Sequence, residues 1–241
     1  MLAYFLSNNS IFIPPRSIYV DSEKIIKLTT ADGRQISAIY LNNPHAKYTI
    51  LFSHGNAEDL GLLYPTLQQL YYWGFSVLGY DYHGYGTSQG SPNEQATYQD
   101  ISAAYEYLIN KQQIEPQLII LYGRSVGSGP SIDLAARKTV GALILEGAFV
   151  SVYRVITHYP ILLFDKYTNL KKLRNIKVPI LFIHGVQDTI IPFWHGKKLY
   201  DSYNGPKQYY WVADAGHNDI AYVAGIEYKN VIQNFVNSLS G

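Results

Sequence analysis

Apolar residues along the chain gather in short runs of strand length, set apart by polar and glycine-rich turns. From Tyr48 onward most of these runs are followed by a longer stretch with helical spacing. Before that point, Ser17–Tyr19, Lys24–Thr30 and Gln35–Tyr40 read as strands, with Asp32-Gly33 joining the last two as a tight hairpin. The alternation then runs as strand Tyr48–Ser53, helix Leu60–Tyr72, strand Ser76–Tyr80 and helix Asn93–Lys111. Strand Gln117–Tyr122 leads into a helix around Ser131–Arg137, and Ala142–Leu145 is a further buried strand. Strand Pro179–His184, helix Phe193–Tyr203, strand Gln208–Val212 and helix Ala221–Leu239 complete it. Antiparallel strands followed by repeated strand–helix units predict an α/β fold with a mostly parallel central sheet, an antiparallel N-terminal hairpin and helices on both faces. Phe149–Asn175 interrupts the alternation and reads as a short cap insertion, about 149–175, on a single domain spanning 1–241.

Composition narrows the class. The 241 residues are 47% hydrophobic and 15% charged, which suits a globular chain with a large core. Nineteen basic residues against 18 acidic ones give a net charge of +1 without a run of either sign, so no nucleic-acid partner is expected. Cysteine is absent, which excludes disulfides, thiolate metal sites, a cysteine nucleophile and S-acylation of these residues. Met1–Leu6 is apolar but short and lacks a basic leader, so it reads as neither a signal peptide nor a membrane span, and a cytoplasmic location is expected. The run is expected to pack on the body of the domain, the alternative being a weak peripheral membrane contact through Leu2, Tyr4, Phe5 and Leu6.

The chemistry centres on Gly123-Arg-Ser-Val-Gly127, between a β-rich run and a helical one. G-x-S-x-G in that context is a nucleophile elbow: a strand-to-helix turn so sharp that Ser125 takes a strained backbone and presents its hydroxyl at a helix N-terminus. A serine hydroxyl needs a base. His217, in Ala215-Gly-His-Asn-Asp219, follows the last strand at the same sheet edge and is the candidate. His54 and His184 lie in strand-end segments, while His45, His83, His158 and His195 lack a partner motif. The orienting acid is assigned to Asp188, within His184-Gly-Val-Gln-Asp-Thr-Ile-Ile-Pro192, with Glu146 as the alternative. Asp219 reads as an N-cap. Oxyanion donors are expected from the backbone N–H groups of Asn56 and Val126, although the Asn56 side chain has the alternative task of securing its loop. Asp81–Ser88 is a glycine-rich turn without a dinucleotide or Walker pattern, so it reads as scaffold. Glu58, Asp59 and Asp100 have no metal-ligand spacing and read as solvated or capping acids. No metal and no cofactor are called for.

The elbow, His54-Gly-Asn-Ala-Glu-Asp-Leu-Gly61, Tyr80-Asp-Tyr-His-Gly-Tyr-Gly86 and Gly216-His-Asn-Asp-Ile220 together resemble the α/β-hydrolase superfamily. Within it, they resemble the branch of α/β-hydrolase-domain serine hydrolases that includes eukaryotic protein depalmitoylases and bacterial relatives. It extends from about Ile11 to the final helix. The resemblance implies the α/β-hydrolase fold, a Ser125–Asp188–His217 triad and cofactor-free (thio)ester hydrolysis. Those depalmitoylases carry a lipidated N-terminal cysteine cluster, which this sequence lacks, so membrane targeting is not carried over with the chemistry. The expected activity is hydrolysis of small-molecule or acyl-protein esters and thioesters. The alternatives are a serine peptidase of the same fold, or a ligand-binding homologue with negligible turnover.

Overall fold

A computed structural model describes residues 11–157 and 165–240. The expectations for Met1–Leu6, for His158 and for the middle of the 149–175 insertion fall outside these residues. The chain divides into two compact units, residues 1–119 and 120–241.

In the first unit, β1 (Ile26–Thr29) pairs antiparallel with β2 (Gln35–Leu41). The turn between them closes through Thr30 N–H donating to the Arg34 carbonyl at 2.9 Å, and Gly33 supplies the left-handed corner at φ +82°. β2 runs antiparallel to β4 (Ser76–Tyr80), and β4 runs parallel to β3 (Thr49–Ser53). Every residue of β3 and β4 is buried, as expected of strands covered on both faces. Helix α1 (Leu60–Tyr72) turns Leu60, Leu63, Leu67 and Leu70 inward, and Asp59 caps it by accepting from Leu62 N–H at 3.0 Å. Gly79 of β4 lets this helix close down, since a Cβ there would come within 2.8 Å of the Leu67 side chain. Helix α2 (Glu94–Asn110) is capped by Asn93 and buries Thr97, Asp100, Ile101, Ala104 and Leu108.

In the second unit, β5 (Ile119–Arg124), β6 (Ala142–Glu146), β7 (Ile180–Gly185) and β8 (Lys207–Val212) are parallel neighbours in that order. The intervening helices are α3 (Ser128–Arg137), α4 (Val152–Thr157), α5 (Asn169–Lys172) and α6 (Trp194–Ser202). A mostly parallel strand set with an antiparallel N-terminal hairpin is what the hydrophobic pattern predicts. The stretch 149–175 carries α4, α5 and a 3-10 turn at Leu173–Asn175.

Two expectations are corrected. Ser17–Tyr19 is not a strand. Its polar groups turn to side chains, with Ile18 N–H donating to Asp59 at 2.9 Å and the Tyr19 hydroxyl donating to Asp81 at 2.6 Å, rather than to a neighbouring strand. The final helix is two helices, α7 (Ile220–Ala224) and α8 (Ile226–Asn237). Gly225, at φ +56° and ψ −130°, breaks the helical path between them. Among the described residues no helix is long and apolar enough to cross a membrane.

Candidate active site

Ser125 follows β5 directly, with φ at +53°, the left-handed backbone that the elbow requires. The turn is tight because Gly123 has no side chain: a Cβ there would lie 2.7 Å from both the Gly127 carbonyl oxygen and Ser128 Cα. Ser128 then donates its hydroxyl to the Ser125 carbonyl at 2.7 Å and fastens the first turn of α3. Val126 is the second residue of the 3-10 turn Ser125–Gly127, and the first N–H groups of a helical turn have no acceptor within it.

Asp188 lies in the loop after β7 and His217 in the loop after β8. Because β5, β7 and β8 run in the same direction, all three side chains arise at one sheet edge. The two loops are knitted together. Val186 N–H donates to the Val212 carbonyl and Gln187 N–H to the Ala215 carbonyl, both at 2.9 Å. Gly185 permits that approach, since a Cβ on it would sit 2.1 Å from the Gly216 oxygen. Asp219 takes the N-cap position of α7 without capping it. Its Oδ1 accepts from Gly216 N–H at 2.7 Å and braces the histidine loop from below.

Within this frame, His217 Nε2 is 2.9 Å from Ser125 Oγ and His217 Nδ1 is 2.6 Å from Asp188 Oδ2. A carboxylate only accepts, so Nδ1 carries the proton and Nε2 offers its lone pair to the serine hydroxyl. Asp188 Oδ1 accepts from the N–H groups of Ile190 at 2.9 Å and Ile191 at 2.7 Å. Burial by itself would raise the Asp188 carboxyl. The hydrogen bonds from His184, His217 and Ile191, together with the attraction of His217, outweigh it and hold the group well below the usual carboxylate range.

Two residues of this arrangement escape sequence reasoning. His184, fully buried on β7, places Nε2 2.8 Å from the Ile191 carbonyl and 3.3 Å from Asp188 Oδ2. The carbonyl can only accept, so Nε2–H is the donor and faces the acid from behind. Gly147, at φ +56°, lies against the His217 ring, where an added Cβ would approach Cε1 to 2.9 Å. The sequence signal for His184 is its four-residue spacing from Asp188. For Gly147 it is a glycine just past a buried strand.

Glu146, the alternative acid, is held elsewhere. Its Oε2 accepts from the buried hydroxyls of Tyr122, at 2.6 Å, and Tyr228. Asn56, in the first unit, uses its side chain on its surroundings: Nδ2 donates to the Ile11 carbonyl at 2.7 Å, while Oδ1 accepts from Ile13 N–H and the Tyr85 hydroxyl. Asp100 is corrected from a solvated or capping acid. It is buried on the inner face of α2, bonded to His83 Nδ1 and, at 3.0 Å, to the His83 N–H. Glu58 accepts from Gly55 N–H at 3.2 Å. Among the described residues no group of three or more histidines and acids has the spacing to hold a metal ion.

The chain is similar to several known proteins. The hydrolase family described as serine aminopeptidase, S33, matches residues 44–170. Alpha/beta hydrolase domain-containing protein 17B of Homo sapiens is 39% identical over 211 residues, covering 83% of this chain and 71% of that protein. Protein 17C of Mus musculus is 35% identical over 228 residues, covering 90% and 68%. Among solved structures, an esterase of Pyrococcus furiosus superposes with a TM-score of 0.78 over 95% of this chain and 100% of its own, at 18% identity. A serine hydrolase homologue from Coxiella burnetii gives 0.70 over 89% and 97%, also at 18% identity. Likeness at that identity speaks for the fold, and the closer relatives speak for the branch. The chain therefore belongs to the α/β-hydrolase superfamily, in the branch of the alpha/beta hydrolase domain-containing 17 proteins.

Proposed function

We propose that the protein is a serine hydrolase of carboxylic esters or thioesters, acting through Ser125, His217 and Asp188. The observation that carries the reading is the continuous hydrogen-bond path from Ser125 Oγ through His217 to Asp188, with Ser125 at positive φ. As Ser125 Oγ bonds to the acyl carbon, its proton passes to His217 Nε2, and the ionised Asp188 stabilises the imidazolium that forms. The carbonyl π electrons move onto oxygen, which the free N–H of Val126 stabilises. Asn56 N–H is carried as the second donor on its place after β3 in the sequence pattern. When the tetrahedral intermediate collapses, the bond to the leaving alcohol or thiol breaks and His217 returns the proton to it. Water, deprotonated by the same nitrogen, then attacks the acyl-enzyme and releases the acid, restoring Ser125. No step calls for a metal or cofactor. Small-molecule and acyl-protein substrates both fit this chemistry.

The test pairs fluorophosphonate labelling of Ser125 with turnover of acyl p-nitrophenyl esters and acyl-thioesters from acetyl to palmitoyl, and of aminoacyl amides. Labelling with ester or thioester turnover is expected, and EDTA leaves the rate unchanged. Labelling with cleavage of aminoacyl amides alone makes the enzyme a peptidase. Labelling without turnover makes it a binding homologue, and a Ser125→Ala variant that still turns over esters overturns the mechanism.

A further inference from the structure

An open cavity of about 360 Å³ lies in the second unit between α4 and the 165–174 segment. It is lined by Ser151, Arg154, Asp165, Thr168, Lys171 and Arg174, together with apolar Val150 and Leu170. Three cations thus face one acid across a small space. Among the described residues, the side chains of Arg154, Lys171 and Arg174 have no ion pair or hydrogen bond, whereas that of neighbouring Lys172 is engaged by Asp133 at 2.7 Å. Three cations against one acid leave a net positive charge whose mutual repulsion a bound anion relieves. The second observation is Ser151. It is 4% exposed, and its Oγ is sealed from solvent without a hydrogen-bond partner. A buried hydroxyl in that state is destabilising unless something else satisfies it.

We propose that this cavity binds a phosphate group. Two guanidinium forks, an ammonium and the hydroxyls of Ser151 and Thr168 offer more donors than the two oxygens of a carboxylate readily use. The three terminal oxygens of a phosphomonoester or the several of a diphosphate match them better. Asp165 is the one lining acid. The segments that carry the lining residues are tied down by their neighbours. Tyr167 is buried against Gly129 in the first turn of α3, where a Cβ would meet the ring at 2.2 Å. Asn169 Nδ2 donates to the Phe149 carbonyl at 2.9 Å, and Val152 N–H donates to the Lys166 carbonyl at 3.0 Å. The phosphate has two possible sources, a soluble phosphorylated molecule or the headgroup of an anionic lipid.

The test is calorimetric titration of the full chain with sodium pyrophosphate, in parallel with sedimentation on vesicles of phosphatidylcholine alone or with phosphatidic acid. Arg154→Gln and Arg174→Gln are each expected to weaken binding tenfold or more, and Ser151→Ala severalfold. Lys111→Gln, at the C-cap of α2, and Ser125→Ala leave binding unchanged, which separates this site from the hydrolase reading. Saturable pyrophosphate binding lost in the arginine variants assigns the site to soluble phosphates. Binding only to phosphatidic acid vesicles, lost in the same variants, assigns it to a lipid headgroup. Absence of both, or binding indifferent to the arginine and serine changes in variants with native circular dichroism, overturns the proposal.

Discussion

Asp188 Oδ2 lies 2.6 Å from His217 Nδ1, while its other oxygen is occupied by the amides of Ile190 and Ile191. The carboxylate is thereby fixed in rotation as well as position, with one oxygen committed to the loop and the other to the histidine. Glu146, at the end of the adjacent strand, spends its acceptor on two tyrosine hydroxyls. The two acids thus differ in what each is bonded to, which favours Asp188 as the partner of His217.

Asp188→Asn is accordingly expected to lower kcat by about ten-thousandfold, because an amide nitrogen facing Nδ1 favours the wrong imidazole tautomer. Glu146→Gln keeps an acceptor for one tyrosine and is expected to cost activity less than tenfold. Steady-state kinetics on folded variants check the ranking, and the reverse order would move the acid to Glu146.

Ser125→Ala and His217→Ala are each expected to reduce kcat by about a millionfold, with little further loss in the double variant, because the two side chains act in one proton transfer. Fluorophosphonate labelling disappears with Ser125→Ala. Losses that multiply in the double variant would show two independent contributions and contradict a shared step.

Gly147→Ala tests a contact of the histidine other than its hydrogen bonds. The new methyl meets Cε1 at 2.9 Å, and φ of +56° is unfavourable for alanine. The ring must shift. A displacement of about 1 Å costs about a hundredfold in rate, so kcat is expected to fall by that order while circular dichroism stays native. Unchanged kcat in the folded variant would mean that the ring has room that the packing does not show.

The second unit was legible in the sequence because its signals are local. Buried parallel strands read as continuous apolar runs, and Gly123-Arg-Ser-Val-Gly127 carries its own backbone geometry. What stayed hidden depends on residues distant in sequence. Ser17–Tyr19 has strand-forming residues, yet its hydrogen bonds go to Asp59 and Asp81, some forty and sixty positions away. Gly225 sits in a helical pattern where a single glycine is usually tolerated, and its positive φ follows from how α7 and α8 separate. His184 and Gly147 acquire meaning only once β6 and β7 lie beside the histidine loop. The same holds for His83, whose partner Asp100 lies seventeen positions on, across a turn and into α2.

That last pair gives a pH dependence of stability. Burial raises Asp100 from 3.8 to about 6, partly offset by its bonds from His83. For His83 burial acts downward, but the hydrogen bond and charge of Asp100, with a smaller pull from Asp32 3.4 Å away, raise it overall. Both shifts have one sign: the folded protein holds protons on this pair to a higher pH than the unfolded chain does. The slope of unfolding free energy with pH follows the protons bound by the unfolded state minus those bound by the folded one. Here that difference is negative, so the pair's contribution is fully present in acid and declines as pH rises from about 4 through the folded values. Asp100→Asn removes the carboxylate from both effects and leaves His83 desolvated without its partner, which lowers the histidine. The stability gap between wild type and Asp100→Asn, from urea unfolding, is therefore expected to be larger at pH 5 than at pH 8. The His83 ring signals, followed by NMR, should titrate at lower pH in the variant. A gap that widens towards pH 8, or a His83 titration that does not move, would mean that the bond between these two side chains does not govern their protons.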